Sequence, residues 1–553
     1  VVLVVSVMGP ALFAGQEEAE KAWPARRAEL GTLTAEFESG HPVDVVSPGD
    51  EEAPVIVVSN DGKDKAGATI RLSVESFNGS TVEKEQNIEL APGQGVRVRM
   101  PREAFAEEGI KWVRFSLEDG QEHSEEACVS FAYMQPNGPP ERPHGDFLFA
   151  MAYGASPDNY SEEAALATSL LGVEIIRGPM YWSHIQPKKD RWNWERADRI
   201  LEAYGRHNID VFGLLMSTPG WARAHGRKSD KHYPKLDAWA DYLTELAKRY
   251  KGRVRYWEIW NEPDIGFWRG TIDEYRRLLR SAYGAIKAVD PDMQVMTAGF
   301  VSMAHKGAKE GMIEKILRED HEHFDILAYH THGHFKDHFE TELDERLLPF
   351  MKKEVPEPKP LFFTETGMDT RRGERYQART LAKKVTFARA RGAMAYTWFN
   401  LHDMPYAEHP RQMGKTYGLY TRLTRKDPDG SWRPENMDYA HTWPKAAYVA
   451  YNTVIASLDD TDYAGELGLP EGQYGYLFED RSGQVAVVWQ EENGKSKAEV
   501  ALRTNAKTAR LRNLMGNEKP VQIEDGKIRL EVTETPVFVL LGEATRTEVI
   551  AQK

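Results

Sequence analysis

Between residues 147 and 399 the chain repeats one unit eight times: a short apolar run, then a longer stretch whose apolar residues recur at helical spacing. The runs predict strands over 147–152, 173–177, 210–216, 255–260, 294–298, 324–329, 361–364 and 393–399. They are apolar on both faces, as strands of a parallel sheet covered by helices must be. Ser161 followed by Glu162 and Glu163 predicts a capped helix start with acidic residues in the first turn. The stretch TIDEYRRLLRSAYGAIKAV, residues 271–289, predicts another helix. Eight such units favour a closed (β/α)8, or TIM, barrel over an open sheet, and in a barrel the chemistry gathers where the strands end.

Two of those strand ends carry carboxylates. Residues 254–264 read VRYWEIWNEPD, and Pro263, which lacks a backbone donor, stops the fourth strand one residue after Glu262. Residues 360–370 read PLFFTETGMDT, an apolar strand leading to Glu365 with Gly367 opening the turn beyond. Facing carboxylates across a barrel mouth are the equipment for glycoside cleavage. One serves as general acid and base and the other as nucleophile, roughly 5–5.5 Å apart if configuration is retained. Glu258, four residues before Glu262 on the same strand, points to the same side but deeper and reads as a buried Glu with a cationic partner. Asp369 competes with Glu365 for the nucleophile's place but lies past the turn.

The WNEP and TETG motifs resemble those of clan A glycoside hydrolases, the retaining (β/α)8-barrel enzymes, over about residues 145–455. Family 39 is the nearest and family 5 its competitor. The resemblance implies that Glu262 is the acid/base, that Glu365 is the nucleophile, and that Asn261 holds the sugar hydroxyl next to the scissile bond. Arg177, ending the second strand, matches an arginine of the clan and supplies the cation an ionised nucleophile needs. His330, at the end of the sixth strand, is expected to bond a substrate hydroxyl or the nucleophile. His332 stands where many relatives carry Tyr, a departure that bears on the clan's Tyr–nucleophile hydrogen bond.

Four histidines (330, 332, 334 and 338) crowd this segment, but a catalytic metal needs a fixed three-ligand set with supporting partners, and no metal is expected. Trp398 is expected to floor the sugar subsite. Trp182 and Trp221, after the second and third strands, line neighbouring subsites or fill the core. Residues 404–443 form an unusually long connection expected to wall the cleft.

At 553 residues several domains are expected. A net charge of −14 argues against nucleic acid as a partner and disfavours a strongly anionic polymer as substrate; the resemblance implies a carbohydrate substrate. The single cysteine, Cys128, excludes an intrachain disulfide. Residues 1–15 are apolar with small residues at the end, like the remnant of a secretory signal, so a secreted or periplasmic location is expected; no run is long enough for membrane insertion. Residues 16–40 read as a linker or short helix. Alternating short runs over 41–135 predict an N-terminal β-sandwich, 136–145 a Pro-rich linker, 146–458 the barrel, and 459–545 a C-terminal β-sandwich. The reading is a retaining glycoside hydrolase of β-linked glycans with no cofactor. Its rivals are a polysaccharide-binding protein that does not cut and a transglycosylase using the same carboxylates.

Overall fold

The computed structural model describes residues 26–50, 54–142, 144–152, 161–224, 228–304, 306–307, 309–403, 416–421, 442–491 and 497–549. The apolar run at 1–15 and most of the long connection at 404–443 lie outside these residues.

Eight parallel strands form the central sheet: β1 (Leu148–Ala152), β2 (Ile175–Pro179), β3 (Asp210–Leu215), β4 (Tyr256–Ile259), β5 (Gln294–Met296), β6 (Leu327–His332), β7 (Leu361–Gly367) and β8 (Ala393–Phe399). Their order is β5-β4-β3-β2-β1-β8-β7-β6. Parallel bridges from Met296 to Ile326 and from Phe300 to Tyr329 join the two end strands and close the ring. Among the described residues a helix follows every strand. The fourth, Ile272–Val289, begins with a capping box in which Thr271 Oγ1 accepts from the Glu274 N–H and the Glu274 carboxylate accepts from the Thr271 N–H.

The barrel interior has a dry floor. Leu148, Ala150, Ile175, Phe212, Tyr256, Met296, Ala328, Phe362 and Ala395 come from all eight strands and pack together with Ile326. Side chains alternate along a strand, so the next inward positions toward the strand ends are Arg177, Glu258 and His330. β6 starts three residues later than its apolar run predicts and continues through the polar segment His330–His332. Those histidines line the mouth, where polar groups are wanted, and pair in register with Glu365–Gly367 of β7.

N-terminal to the barrel, Arg27–Leu30, Leu33–Glu38, Val55–Asn60 and Gly95–Arg99 form one sheet. Val45–Val46, Ala66–Ser76, Thr81–Leu90, Gly109–Asp119 and Ala127–Tyr133 form a second, and both contribute to one apolar cluster. This corrects the expectation for residues 16–40. Within the described part, Leu33, Ala35 and Phe37 are buried while Glu36 and Glu38 are exposed, a period of two that makes a strand and not a linker or helix. The Pro-rich segment is pinned to the barrel: the Asn137 amide donates to Leu171 O at 2.8 Å and to Asn452 O at 2.9 Å. After the barrel, strands from Asp462–Glu466 to Thr547–Val549 form two further sheets around their own core. Among the described residues no helix is long and apolar enough to cross a membrane.

Candidate active site

The end of β4 is bent by its own backbone. Trp260 and Glu262 both adopt left-handed conformations (φ 82° and 41°), each costing about 1–3 kcal/mol in a bulky residue. Surrounding structure holds them there. The Trp260 indole N–H donates to Phe267 O at 2.8 Å, Asn261 bridges to Gly299, and the Glu262 N–H donates to Gly299 O at 3.1 Å. The turn brings Glu262 over the barrel mouth.

β7 reaches the mouth by a different irregularity. Its register against β6 slips so that Tyr329 pairs with Phe363 but His330 pairs with Glu365, passing over Thr364. The bulge lets two consecutive residues act inside the barrel. Thr364 Oγ1 donates downward to Glu258 Oε1 at 2.8 Å, and Glu365 stands above it at the mouth.

Arg177 ties the carboxylates together. Its Nε and Nη2 donate to both oxygens of Glu258 at 2.6 and 2.9 Å, its Nη1 to Glu365 Oε2 at 2.5 Å, and Nη2 again to Asn261 Oδ1 at 2.7 Å. That last bond leaves the Asn261 NH2 as the group able to donate to a hydroxyl. Glu258 thus has the cationic partner expected of it. His330, fully buried, sits with Nδ1 3.0 Å from Glu262 Oε1 and Nε2 3.1 Å from Thr364 Oγ1. His332 Nε2 lies 3.2 Å from Glu365 Oε1. An oxygen of Glu262, an oxygen of Glu365 and a His332 nitrogen all fall within 4.8 Å of one another.

The electrostatics follow from this packing. Burial alone pushes the Glu365 carboxyl up, but the His330 charge, the His332 hydrogen bond and Arg177 outweigh it and hold the group well below the usual carboxylate range. Burial disfavours the His330 cation, yet Glu365, Glu258 and Glu262 around it push its pKa up to about 9.

Residues 148–404 match the model of the cellulase family, glycosyl hydrolase family 5. A β-xylosidase of Caldicellulosiruptor saccharolyticus is 31% identical over 168 residues, covering 26% of this chain and 34% of the relative. Endo-1,4-β-xylanase B of Thermotoga neapolitana is 25% identical over 166 residues, covering 28% and 46%. The chain therefore spans less than half the length of these curated relatives. A family 39 glycoside hydrolase from the gut symbiont Bacteroides cellulosilyticus shares the fold, with a TM-score of 0.67 at 17% identity over 91% of this chain and 99% of that one. The barrel resembles clan A glycoside hydrolases in this family model and in fold.

Within the barrel, Glu262, Glu365, Arg177, Asn261, His330 and His332 are brought together. The three tryptophans are not. Trp398 is fully buried: it points outward with Tyr396 into the layer between barrel and helices, and its indole N–H donates to Tyr417 O at 3.0 Å. The inward position is the next one, half-buried Phe399, whose ring lies 5.6 Å from that of His332. Trp182 is fully buried and stacks on Tyr242 at 5.1 Å, so it fills the core and lines no subsite. Half-buried Trp221 packs edge-on against it and donates to Gln186 O at 3.1 Å. The histidines also separate, since His334 bonds the Tyr376 hydroxyl at 2.7 Å and His338 lies beside it, away from the carboxylates.

Three participants carried no sequence signal. Tyr417 packs its ring on His332 and Phe399. Burial and then Asp369, Glu365 and Glu262 push its phenol up to about 12, although Arg371 opposes them. Thr364 is the next inward position after Phe362, and the bulge lets Glu365 join it at the mouth. Gly299 gives the His330 ring its space, because a Cβ there would stand 1.9 Å from His330 Nε2. Gly299→Ala is therefore expected to displace His330 and lower kcat/KM by about 10²-fold or more, the scale of a lost acid–base contribution. Circular dichroism should show the fold retained, and wild-type kinetics in the variant would exclude the tight packing.

Proposed function

We propose that the protein is a retaining glycoside hydrolase that cleaves β-linked glycans, β-xylosides first among them, by double displacement. The observation that carries this reading is the pair of mouth carboxylates with oxygens within 4.8 Å. That spacing suits direct attack, whereas inversion needs roughly 6.5–9.5 Å to admit a water. Glu365, held ionised by its cationic neighbours, attacks the anomeric carbon while Glu262 gives a proton to the leaving oxygen. Glu262 then takes a proton from water, which releases the sugar from Glu365. The names of the partial relatives point to xylosidic bonds. Half-buried Phe399 and Tyr417 offer the aromatic faces for a sugar ring.

The flanking sheets read as β-sandwich buttresses. Arg375 of the barrel donates to Glu75 Oε1 at 2.7 Å and Phe77 O at 2.8 Å, and the Tyr420 hydroxyl donates to Val43 O at 2.9 Å.

The test is hydrolysis of aryl β-D-xylosides followed by proton NMR of the first sugar released. Retention predicts the β anomer, and an α anomer appearing first would end the reading. Glu262→Ala should lose about 10²–10⁴-fold on phenyl β-xyloside, which needs its leaving oxygen protonated. On 2,4-dinitrophenyl β-xyloside it should lose far less. Equal losses on both substrates would remove Glu262 from the acid role. An added sugar acceptor separates a transglycosylase from a hydrolase by product.

A further inference from the structure

Glu258 faces neither substrate nor solvent; it is fully buried one layer below Glu262. A carboxylate there costs several kcal/mol unless paired, and both of its oxygens are engaged, by Arg177 and by the Thr364 hydroxyl. Those two partners lead to the two mouth carboxylates. Arg177 continues to Glu365. Thr364, having given its only hydroxyl hydrogen to Glu258, can offer His330 Nε2 just an acceptor oxygen, so Nε2 must carry a hydrogen. The other ring nitrogen, Nδ1, then faces Glu262 at 3.0 Å and shares one proton with it. Either Glu262 is protonated and donates to neutral Nδ1, or Nδ1–H donates to the Glu262 carboxylate.

Resting on the double-displacement reading above, we propose that Glu258 is a positioning residue: through Thr364 it fixes the ring form of His330, and so aims one shared proton at Glu262, while through Arg177 it orients Glu365. The charged groups facing His330 are Glu262 and Glu258 (3.7 Å) from the β4 end, Glu365 (4.0 Å) from β7 and Arg177 from β2. Glu258 is the one carboxylate among them that takes no part in bond making and never changes charge during the cycle. It supplies a constant negative charge below a site whose other charges alternate. The raised pKa of His330 accords with this.

Thr364→Val and Thr364→Ser test the path without touching any ionisable group. Two readouts are taken on the full-length protein: nitrogen-15 NMR titration of the histidine rings, and kcat/KM against pH on phenyl and 2,4-dinitrophenyl β-xyloside. The wild type and Thr364→Ser should keep His330 charged to the same pH, and their kinetics should agree within about threefold. Thr364→Val should lower the His330 titration by about one unit or more, the usual scale for one lost polar partner. Its alkaline limb should fall by the same amount. It should also lose about 10²-fold on the phenyl substrate and only a few-fold on the dinitrophenyl one. The proposal is overturned if His330 titrates alike in the Val variant and the wild type, or if both substrates lose equally. Should the wild type cleave neither xyloside, the β-xyloside reading falls, and the NMR titration still decides whether Glu258 governs His330.

Discussion

Glu365→Ala is expected to lower kcat/KM by about 10⁴–10⁶-fold, the scale seen when a covalent nucleophile is removed from a site that otherwise still binds. The residue stands alone in the attacking position, because Glu258 lies a layer deeper and locked to Arg177, and Asp369 is buried and occupied by Arg371 at 2.7 Å. The variant should still fold, since Arg177 keeps its bidentate bond to Glu258. Azide fits the space left and, with Glu262 intact to help the leaving group, should restore turnover of an activated aryl β-xyloside and yield the α-glycosyl azide. A β-azide, or activity within tenfold of wild type, would assign the nucleophile elsewhere. The stability cost has a definite pH sign. The Glu365 carboxyl is depressed in the folded protein, so its contribution is present above the ordinary value of about 4.3 and fades as pH falls below it. Thermal unfolding of wild type and variant should therefore differ most near neutrality and converge in acid.

The barrel was legible because its interior is apolar. Runs such as LFAMA and LFFT read as buried strands with no knowledge of their neighbours, and Pro263 and Gly367 mark where two of them stop. The carboxylates, Arg177 and the histidines could be placed at strand ends for the same reason. What escaped was set by backbone irregularities and by parity. Trp398 and Phe399 are adjacent aromatics, and only the inward phase of β8, anchored by Ala395 in the barrel floor, tells which one faces the mouth. Thr364 faces inward together with Glu365 because β7 bulges there, and a period-two reading forbids that. Gly299 matters through the volume of a side chain thirty-one residues later. The strands at 27–38 lay in a charged stretch whose alternation is short and whose partners, residues 55–60, are distant in sequence.

Arg177→Met should destabilise the fold by about 3–5 kcal/mol near pH 7, because it removes the shared partner of two buried carboxylates while leaving both in place. Glu258 is fully buried and the Glu365 side chain is 12% exposed, so water does little to replace the guanidinium. In the wild type Arg177 helps hold both carboxyls below their ordinary range; its loss lets burial push Glu258 up, while His330 and His332 still hold Glu365 down. For Glu258 the pH dependence then changes sign. The wild type gains stability as pH rises through the ordinary carboxylate range, whereas a group with a raised folded pKa gives stability that is present below its unfolded value and lost as pH rises. Unfolding temperatures measured from pH 5 to pH 8 should show the gap between variant and wild type widening upward. Adding Glu258→Gln to Arg177→Met removes one of the two stranded charges and should recover more than half of the loss at pH 8, a positive coupling between contacting residues. A gap independent of pH, with no recovery in the double variant, would mean that Arg177 contributes packing alone. The same variant should lose about 10²–10³-fold in kcat/KM, comparable to the removal of one preorganised charge partner from a reacting group, because the guanidinium bonded to both Glu258 and Glu365 is also what aims Glu365 at the anomeric carbon.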